Sequence, residues 1–210
     1  MAGTVGSVMS RAARLTRLFV SWVMVGIGVP LLVRSDLGVA PFDVLNTGLN
    51  EVTEWSFGLC FVLMSAVFFG TGYLLGAKLG WACLGGTLTI GVMVNLVLRA
   101  VPDRDGLAVR MPYLVAGILI IAVAICLVVT TELGAGPTEV VMLGLVNRGL
   151  GVVPARWISD GTPLVVGAAL GGSIGVGTVM FAVGMGPMVK FGLRRLGYTP
   201  PVAAAIVSPG

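Results

Sequence analysis

SDLGVAPFDVLNTGLN, residues 35–50, interrupts a chain that is otherwise almost continuously apolar. The stretch places two acids, a glycine and a proline directly after a hydrophobic run. Glycine lets the chain turn where one helix ends, and proline suits the first position of the next helix. These residues therefore predict that a first long helix ends near Asp36 and that a short helix begins at Pro41.

The composition is that of an integral membrane protein embedded in a lipid bilayer. Of the 210 residues, 57% are hydrophobic and 10% are charged, whereas soluble domains carry about 25% charged residues. Mean hydropathy is +1.04. Since a spanning helix needs about 20 apolar residues, six runs are long enough to cross, at 17–34, 56–77, 79–100, 111–131, 155–172 and 174–193. Tryptophans near run ends predict headgroup anchors: Trp22, Trp55, Trp81 and Trp157.

Several function classes are disfavoured by the residue types present. The chain has no histidine, which removes the commonest acid–base group and metal ligand. The 3 cysteines are dispersed within apolar runs and have no metal-ligand spacing. Basic residues flank the apolar runs and form no tract that could follow phosphates. We therefore predict no catalytic residues, no metal or other cofactor, and no nucleic-acid partner.

The chain also repeats itself. TELGAGPTEVVMLGL, residues 131–145, aligns with residues 35–49 at a constant offset of 96, so that acid, glycine, proline, acid and glycine recur in register. A second block, GAALGGSIGVGT at 167–178, aligns with GAKLGWACLGGT at 76–87 at an offset of 91. Internal repeats of this kind are common in secondary transporters, whose sites form where the repeats meet.

The predicted fold is an all-α integral membrane protein with two pseudo-symmetric repeats. Each repeat has three transmembrane helices and one short helix, at 41–52 and 137–148. Twelve residues span only about 18 Å, short of the ~30 Å hydrocarbon core, so the short helices are expected to be re-entrant or interfacial. The expected segments are a cytoplasmic N-terminal segment 1–16, repeat 1 at 17–100, a polar loop 101–110, repeat 2 at 111–197 and a disordered cytoplasmic tail 198–210.

Two topologies remain open. With six crossings, nine Lys and Arg residues face the cytoplasm and four face outward, and the repeats are inverted. If both short helices also cross, there are eight crossings and the repeats are parallel. Eleven Lys and Arg residues then face the cytoplasm and two face outward. Segment length favours six, whereas charge bias slightly favours eight. Both topologies place both termini in the cytoplasm.

The acids of the two motifs have two interpretations. They either cap helix ends, where the helix dipole favours a carboxylate at an N-terminus, or they lie in a cavity and bind a solute or ion, since acids at membrane depth usually have a role. The candidate substrate-binding residues are Asp36, Asp43, Asn46, Thr87, Asn95, Glu132, Glu139 and Thr178. The candidate hinge residues are Gly38, Pro41, Gly134 and Pro137.

The opening motif RSDLGVAPFDVLNTGL and the later segments GTLTIG and GVGTVMFAVGMGP resemble the YczE/YitT-like bacterial membrane proteins. The resemblance covers residues 15–197 and implies a multi-pass protein of the bacterial inner membrane. The function expected from the duplicated motif is a small secondary transporter or permease-like protein for a small solute or ion. The alternative is a non-transporting scaffold or accessory protein for a partner complex. Rows of small residues also allow a homodimer.

Overall fold

The computed structural model describes residues 9–102 and 106–198, and this part of the chain contains eight α-helices and no strands. Two of the helices are short, as predicted. In chain order the helices are α1 (Arg11–Ser35), α2 (Pro41–Thr53), α3 (Phe57–Leu74), α4 (Trp81–Ala100), α5 (Leu107–Thr131), α6 (Pro137–Asn147), α7 (Val152–Ala169) and α8 (Val176–Arg195).

The helix boundaries follow local capping signals. The Ser10 hydroxyl accepts a hydrogen bond from the Ala13 amide, so α1 begins one and a half turns before the predicted apolar run. The α2 and α6 helices begin at Pro41 and Pro137, as predicted. Since a left-handed residue commonly ends a helix, Asp36 (φ 51°) and Glu132 (φ 55°) end α1 and α5.

Five helices, α1, α3, α4, α5 and α8, are long and apolar enough to cross a membrane. The α7 helix corresponds to the fifth of the six predicted runs and has 18 residues, the same number as α3. It is more polar because it carries Arg156 and Asp160, which form an ion pair of 2.5 Å. Six crossings therefore remain a prediction, with α7 as the polar sixth helix.

The long helices at the centre run in defined directions. The α1 and α5 helices are antiparallel: the Arg14 Nε donates to the Thr131 carbonyl at 2.9 Å, and Arg110 lies 3.2 Å from Asp36. The α4 helix runs parallel to α1, since Arg34 near the end of α1 donates to the Leu98 carbonyl near the end of α4. We call the two ends of the bundle the Arg11 end and the Ser35 end, after the two ends of α1.

The short helices pack at opposite ends of the bundle through glycine contacts. At the Ser35 end, α2 lies against the last turn of α7, where a Cβ on Gly48 would fall 2.6 Å from the Gly167 carbonyl oxygen. A Cβ on Gly167 would fall 2.4 Å from the Leu45 amide nitrogen. At the Arg11 end, α6 lies against the last turn of α3, where a Cβ on Gly144 would fall 3.0 Å from the Gly72 carbonyl oxygen.

The predicted terminal segments are only partly within the described residues. Residues 11–16 of the predicted N-terminal segment belong to α1. Tyr198, the first residue of the predicted disordered tail, is buried instead, and its hydroxyl donates to Glu132 at 2.8 Å. Residues 1–8 and 199–210, and residues 103–105 of the polar loop, lie outside the described part of the chain.

Candidate functional site

The first turn of α2 lies deep inside the bundle. The Phe42 ring packs edge-on against Phe61 and Phe68 of α3, with centroid distances of 5.7 and 5.2 Å. At 1.5 Å per residue, these two partners lie about 6 and 16 Å from the start of α3. The α2 helix therefore has its N-terminus towards the middle of the bundle and runs back towards the Ser35 end.

Asp43 follows Phe42 and is buried at this depth. Its side chain is 4% exposed, and one carboxylate oxygen accepts a hydrogen bond of 3.3 Å from the Asn46 amide. Within the described part of the chain, no Lys or Arg pairs with it, and its second carboxylate oxygen accepts no hydrogen bond. Burial raises the pKa of Asp43 to about 7, and the Asn46 hydrogen bond offsets only part of that effect.

Asp43 faces a cavity of about 320 Å³. The wall comes from residues 18–29 of α1, 82–90 of α4 and 121–129 of α5, and from the loop 134–137. Because α5 is antiparallel to α1 and α4 is parallel to it, the α4 and α5 stretches lie in the half of the bundle towards the Arg11 end, and the α1 stretch spans the middle of its helix. Most of the wall is aliphatic or aromatic; its polar side chains are Ser21, Trp22, Asp43, Cys83, Thr87 and Glu139.

Glu139 also lines this cavity, but its charge is already compensated. It occupies the third position of α6, as Asp43 does in α2, and its carboxylate accepts a hydrogen bond of 2.5 Å from the Gly136 amide. The Arg156 guanidinium of α7 lies 3.7 Å from the other carboxylate oxygen and also pairs with Asp160. The two aligned acids thus differ: Glu139 caps a helix within an ion-pair network, and Asp43 is buried with no Lys or Arg of the described ranges paired to it.

The Ser35 end is closed by hydrogen bonds between two loops and α2. The Gly177 amide donates to the Leu37 carbonyl at 2.7 Å, and the Val39 amide donates to the Ser173 carbonyl at 3.3 Å. The Ser173 amide donates to the Thr47 hydroxyl at 3.0 Å. At the Arg11 end, no backbone hydrogen bond among the described residues joins the aligned loop 133–136 to α4.

The structure brings together three of the eight predicted substrate-binding residues. Asp43, Thr87 and Glu139 line the cavity. Asp36 and Glu132, in contrast, are exposed at helix ends. The first acid of each motif is therefore a helix C-cap outside the cavity, and the second acid lies at the cavity.

The other three predicted residues make structural contacts. Asn46 is fully buried beside Asp43. Asn95 fixes the start of α3 by accepting from the Gly58 amide at 2.9 Å and donating to the Ser56 hydroxyl at 3.1 Å. The Thr178 hydroxyl accepts from the Gly175 amide at 3.4 Å at the start of α8.

The predicted hinge residues occupy turns, but the two glycines are not equivalent. Gly38 has φ 107°, and a Cβ there would lie 2.6 Å from the Gly175 amide nitrogen, so both conformation and space require glycine. Gly134 does not have positive φ, and a Cβ would lie 3.1 Å from the Ala82 Cβ. Pro41 and Pro137 begin the two short helices, and Gly134 and Pro137 also line the cavity.

Sequence reasoning missed the aromatic part of the wall. Trp22, predicted as a headgroup anchor, lines the cavity, with its ring against Gly86 and edge-on to Trp81 at 6.4 Å. The early start of α1 at Arg11 moves this residue three turns into the helix. The other aromatic wall residues are Phe42, Phe61, Phe69 and Phe181. Ser10, a residue type that commonly caps a helix N-terminus, is the sequence signal that could have extended α1.

Comparison with known proteins supports the family expected from the opening motif. Residues 12–194 match the model of a family of unknown function, DUF6198. An uncharacterized protein of Haemophilus influenzae is 30% identical over 178 residues, which cover 84% of this chain and 82% of that protein. The "Uncharacterized membrane protein YczE" of Bacillus subtilis is 26% identical over 193 residues, covering 87% and 86%. No solved structure matches. The resemblance to YczE-like membrane proteins is thereby confirmed, and the chain belongs to the DUF6198 family.

Proposed function

We propose that this membrane protein is a small secondary transporter, with a solute path where two internal repeats meet. One observation carries the proposal: a cavity of about 320 Å³ has walls from both halves of the chain and an acid from each short helix. Sites at repeat interfaces, built beside interrupted helices, are typical of secondary transporters. A scaffold has no need of a cavity that contains a buried carboxyl.

The pattern of helix contacts supports the two repeats. If the first four helices are exchanged with the last four, each helix pair maps onto another pair. The contact of α1 with α4 becomes that of α5 with α8, the contact of α2 with α7 becomes that of α6 with α3, and the contact of α2 with α3 becomes that of α6 with α7. All six pairs pack closely. The α1–α5 contact maps onto itself. The α3–α4 pair is the exception, since α7–α8 is not among the closely packed pairs.

The helix directions favour six crossings and inverted repeats. Since α1 and α5 are antiparallel, the end of α1 and the start of α5 lie at the same end of the bundle. Two crossings, α3 and α4, separate them, and a third crossing by α2 would move Arg110 away from Asp36. The Arg11 end holds the basic residues assigned to the cytoplasm, which supports the proposal that both termini are on the cytoplasmic side of a bacterial inner membrane.

The unequal ends of the bundle support alternating access. The Ser35 end is closed by the hydrogen bonds of loops 37–39 and 173–177, while the aligned loop at the Arg11 end makes none to α4. We interpret this arrangement as one of two related states. In the other state, loop 133–136 would pair with α4 and the contacts at the Ser35 end would separate.

Accessibility of a cysteine in the cavity wall tests the proposal without knowledge of the solute. Cys83 lines the cavity, whereas Cys126 is buried between α5 and α8, with its thiol 3.6 Å from the Val189 carbonyl oxygen. A variant that retains only Cys83 is treated with a small membrane-impermeant thiol reagent in right-side-out and in inverted vesicles. A transporter that alternates should be labelled from both sides.

The matched control retains only Cys126 and should stay unlabelled from either side. An exposed cysteine in place of Asp36 reports which side is the Ser35 end in each preparation. Labelling of Cys83 from one side alone contradicts alternating access. That outcome, together with co-purification of one stoichiometric partner, would favour a scaffold or accessory protein.

A further inference from the structure

We propose that the cavity binds an organic monocation at Asp43, and that this cation and a proton occupy the carboxyl alternately. The inference rests on the proposed transport function and names the substrate class of the same site. Two observations carry it: Asp43 is a buried carboxyl that no Lys or Arg among the described residues pairs with, and the cavity it faces is largely apolar and aromatic.

The charges around the cavity exclude an anionic ligand. Of the described wall residues, Asp43 and Glu139 are acidic and none is Lys or Arg. Arg156 of α7 lies 3.7 Å from Glu139 and is already shared with Asp160. The walls from α1, α4 and α5 contribute Cys83 as their one further titratable group. An anion would meet no cationic side chain among the described wall residues.

The wall chemistry also excludes a metal ion and a polyhydroxylated solute. Hard cations take six or more oxygen ligands, and the described residues contain no group of three or more His, Cys, Asp and Glu side chains that could hold a metal ion. A sugar would leave most of its hydroxyls without partners, since Ser21 and Thr87 are the hydroxyl side chains of the wall.

An organic cation satisfies what remains. Its charge pairs with the Asp43 carboxylate, while its apolar body lies against aliphatic side chains and the faces of Trp22, Phe42, Phe61, Phe69 and Phe181. Aromatic faces attract quaternary ammonium groups, with Trp the most favourable. The cavity volume of about 320 Å³ suits a small molecule, at the lower end of typical ligand pockets of roughly 300–1,000 Å³.

The exchange balances in charge and in protons. Without ligand and at a pH below its pKa, Asp43 holds a proton and its carboxyl is neutral, because burial disfavours the ionised form. When the cation binds, the carboxyl releases one proton to solvent and becomes the counter-ion of the ligand. The pocket around Asp43 thus has the same net charge in the proton-bound state and in the cation-bound state. The carboxylate therefore need never be without a counter-ion while the site changes its access.

Benzyltrimethylammonium is the probe, and neopentylbenzene, in which carbon replaces the charged nitrogen, is its uncharged isostere. Calorimetric titration of the full chain in detergent, in two buffers with different protonation enthalpies, gives affinity and protons released. We expect close to one proton released per bound probe at pH 5.5 and almost none at pH 8.5. Below the carboxyl pKa, the affinity should weaken about tenfold per pH unit.

Asp43→Asn should abolish both the proton release and the preference for the charged probe. Asp36→Asn, at the exposed acid of the same motif, should leave both unchanged. Equal affinity for the two probes, or retained proton release in Asp43→Asn, overturns the inference. Two-sided labelling of Cys83 without cation binding would leave transport standing and reject the substrate class. Cation binding with one-sided labelling would indicate a ligand site without transport.

Discussion

Replacing Gly167 with alanine tests whether α2 is held inside the bundle by its contact with α7. The new Cβ would lie 2.4 Å from the Leu45 amide nitrogen and 2.4 Å from the Val44 carbonyl carbon. Ordinary van der Waals contact begins at 3.4 Å, so the two helices must separate by about 1 Å. No side chain can swing aside, because the obstructing atoms are backbone.

The separation should be destabilising by about 3 kcal/mol. Overpacking of a core typically costs about 1–3 kcal/mol. Moving α2 also weakens the hydrogen bond from the Ser173 amide to the Thr47 hydroxyl, which is worth about 1 kcal/mol. For a chain of this size, a loss of this magnitude lowers the melting temperature by on the order of 10 °C.

Thermal unfolding in detergent, followed by loss of the monodisperse peak in size-exclusion chromatography, measures the effect. Gly161→Ala is the matched control, since it lies in the same helix and its Cβ would meet no atom within 4 Å. We expect Gly161→Ala to melt within a few degrees of the parent protein. Equal melting temperatures for the two alanine variants would refute the packing of α2 against α7.

Three further predictions address the carboxyl, the turns and the topology. The pKa of Asp43 rises from 3.8 to about 7 on folding, so its contribution to the free energy of unfolding is fully present below pH 3.8, and up to about 4 kcal/mol is lost as pH rises through 7. Asp43→Asn should therefore flatten the dependence of melting temperature on pH between pH 5 and pH 8. An unchanged pH dependence in this variant would contradict the raised pKa. Gly38→Ala should destabilise by about 2 kcal/mol or more because φ is 107° and the Gly175 backbone blocks the Cβ, whereas Gly134→Ala should cost less; equal melting temperatures would argue against this difference. With six crossings, the cysteines of Asp36→Cys and Gly106→Cys should be labelled from the same side of the membrane. Labelling from opposite sides would favour eight crossings.

Much of the secondary structure follows from local sequence signals. Hydropathy is a property of each segment by itself, so the apolar runs predict long helices wherever they occur. The turn at Gly38 and the helix start at Pro41 depend on backbone conformation within a few residues, and the same holds for Pro137. The exposed side of α4, with Leu84, Leu88 and Val92, shows why hydropathy alone could not predict the interior.

The sequence by itself determined that this is a helical membrane protein with two matched motifs, each ending one helix and starting another. Only the tertiary structure decided that Asp36 is an exposed cap and that Asp43, seven residues later, is buried at a cavity. The physical reason is that burial depends on what packs from elsewhere in the chain. Gly167, more than one hundred residues away, has no side chain, so the backbone of α2 can pack directly against α7. This close packing places Asp43 at the cavity.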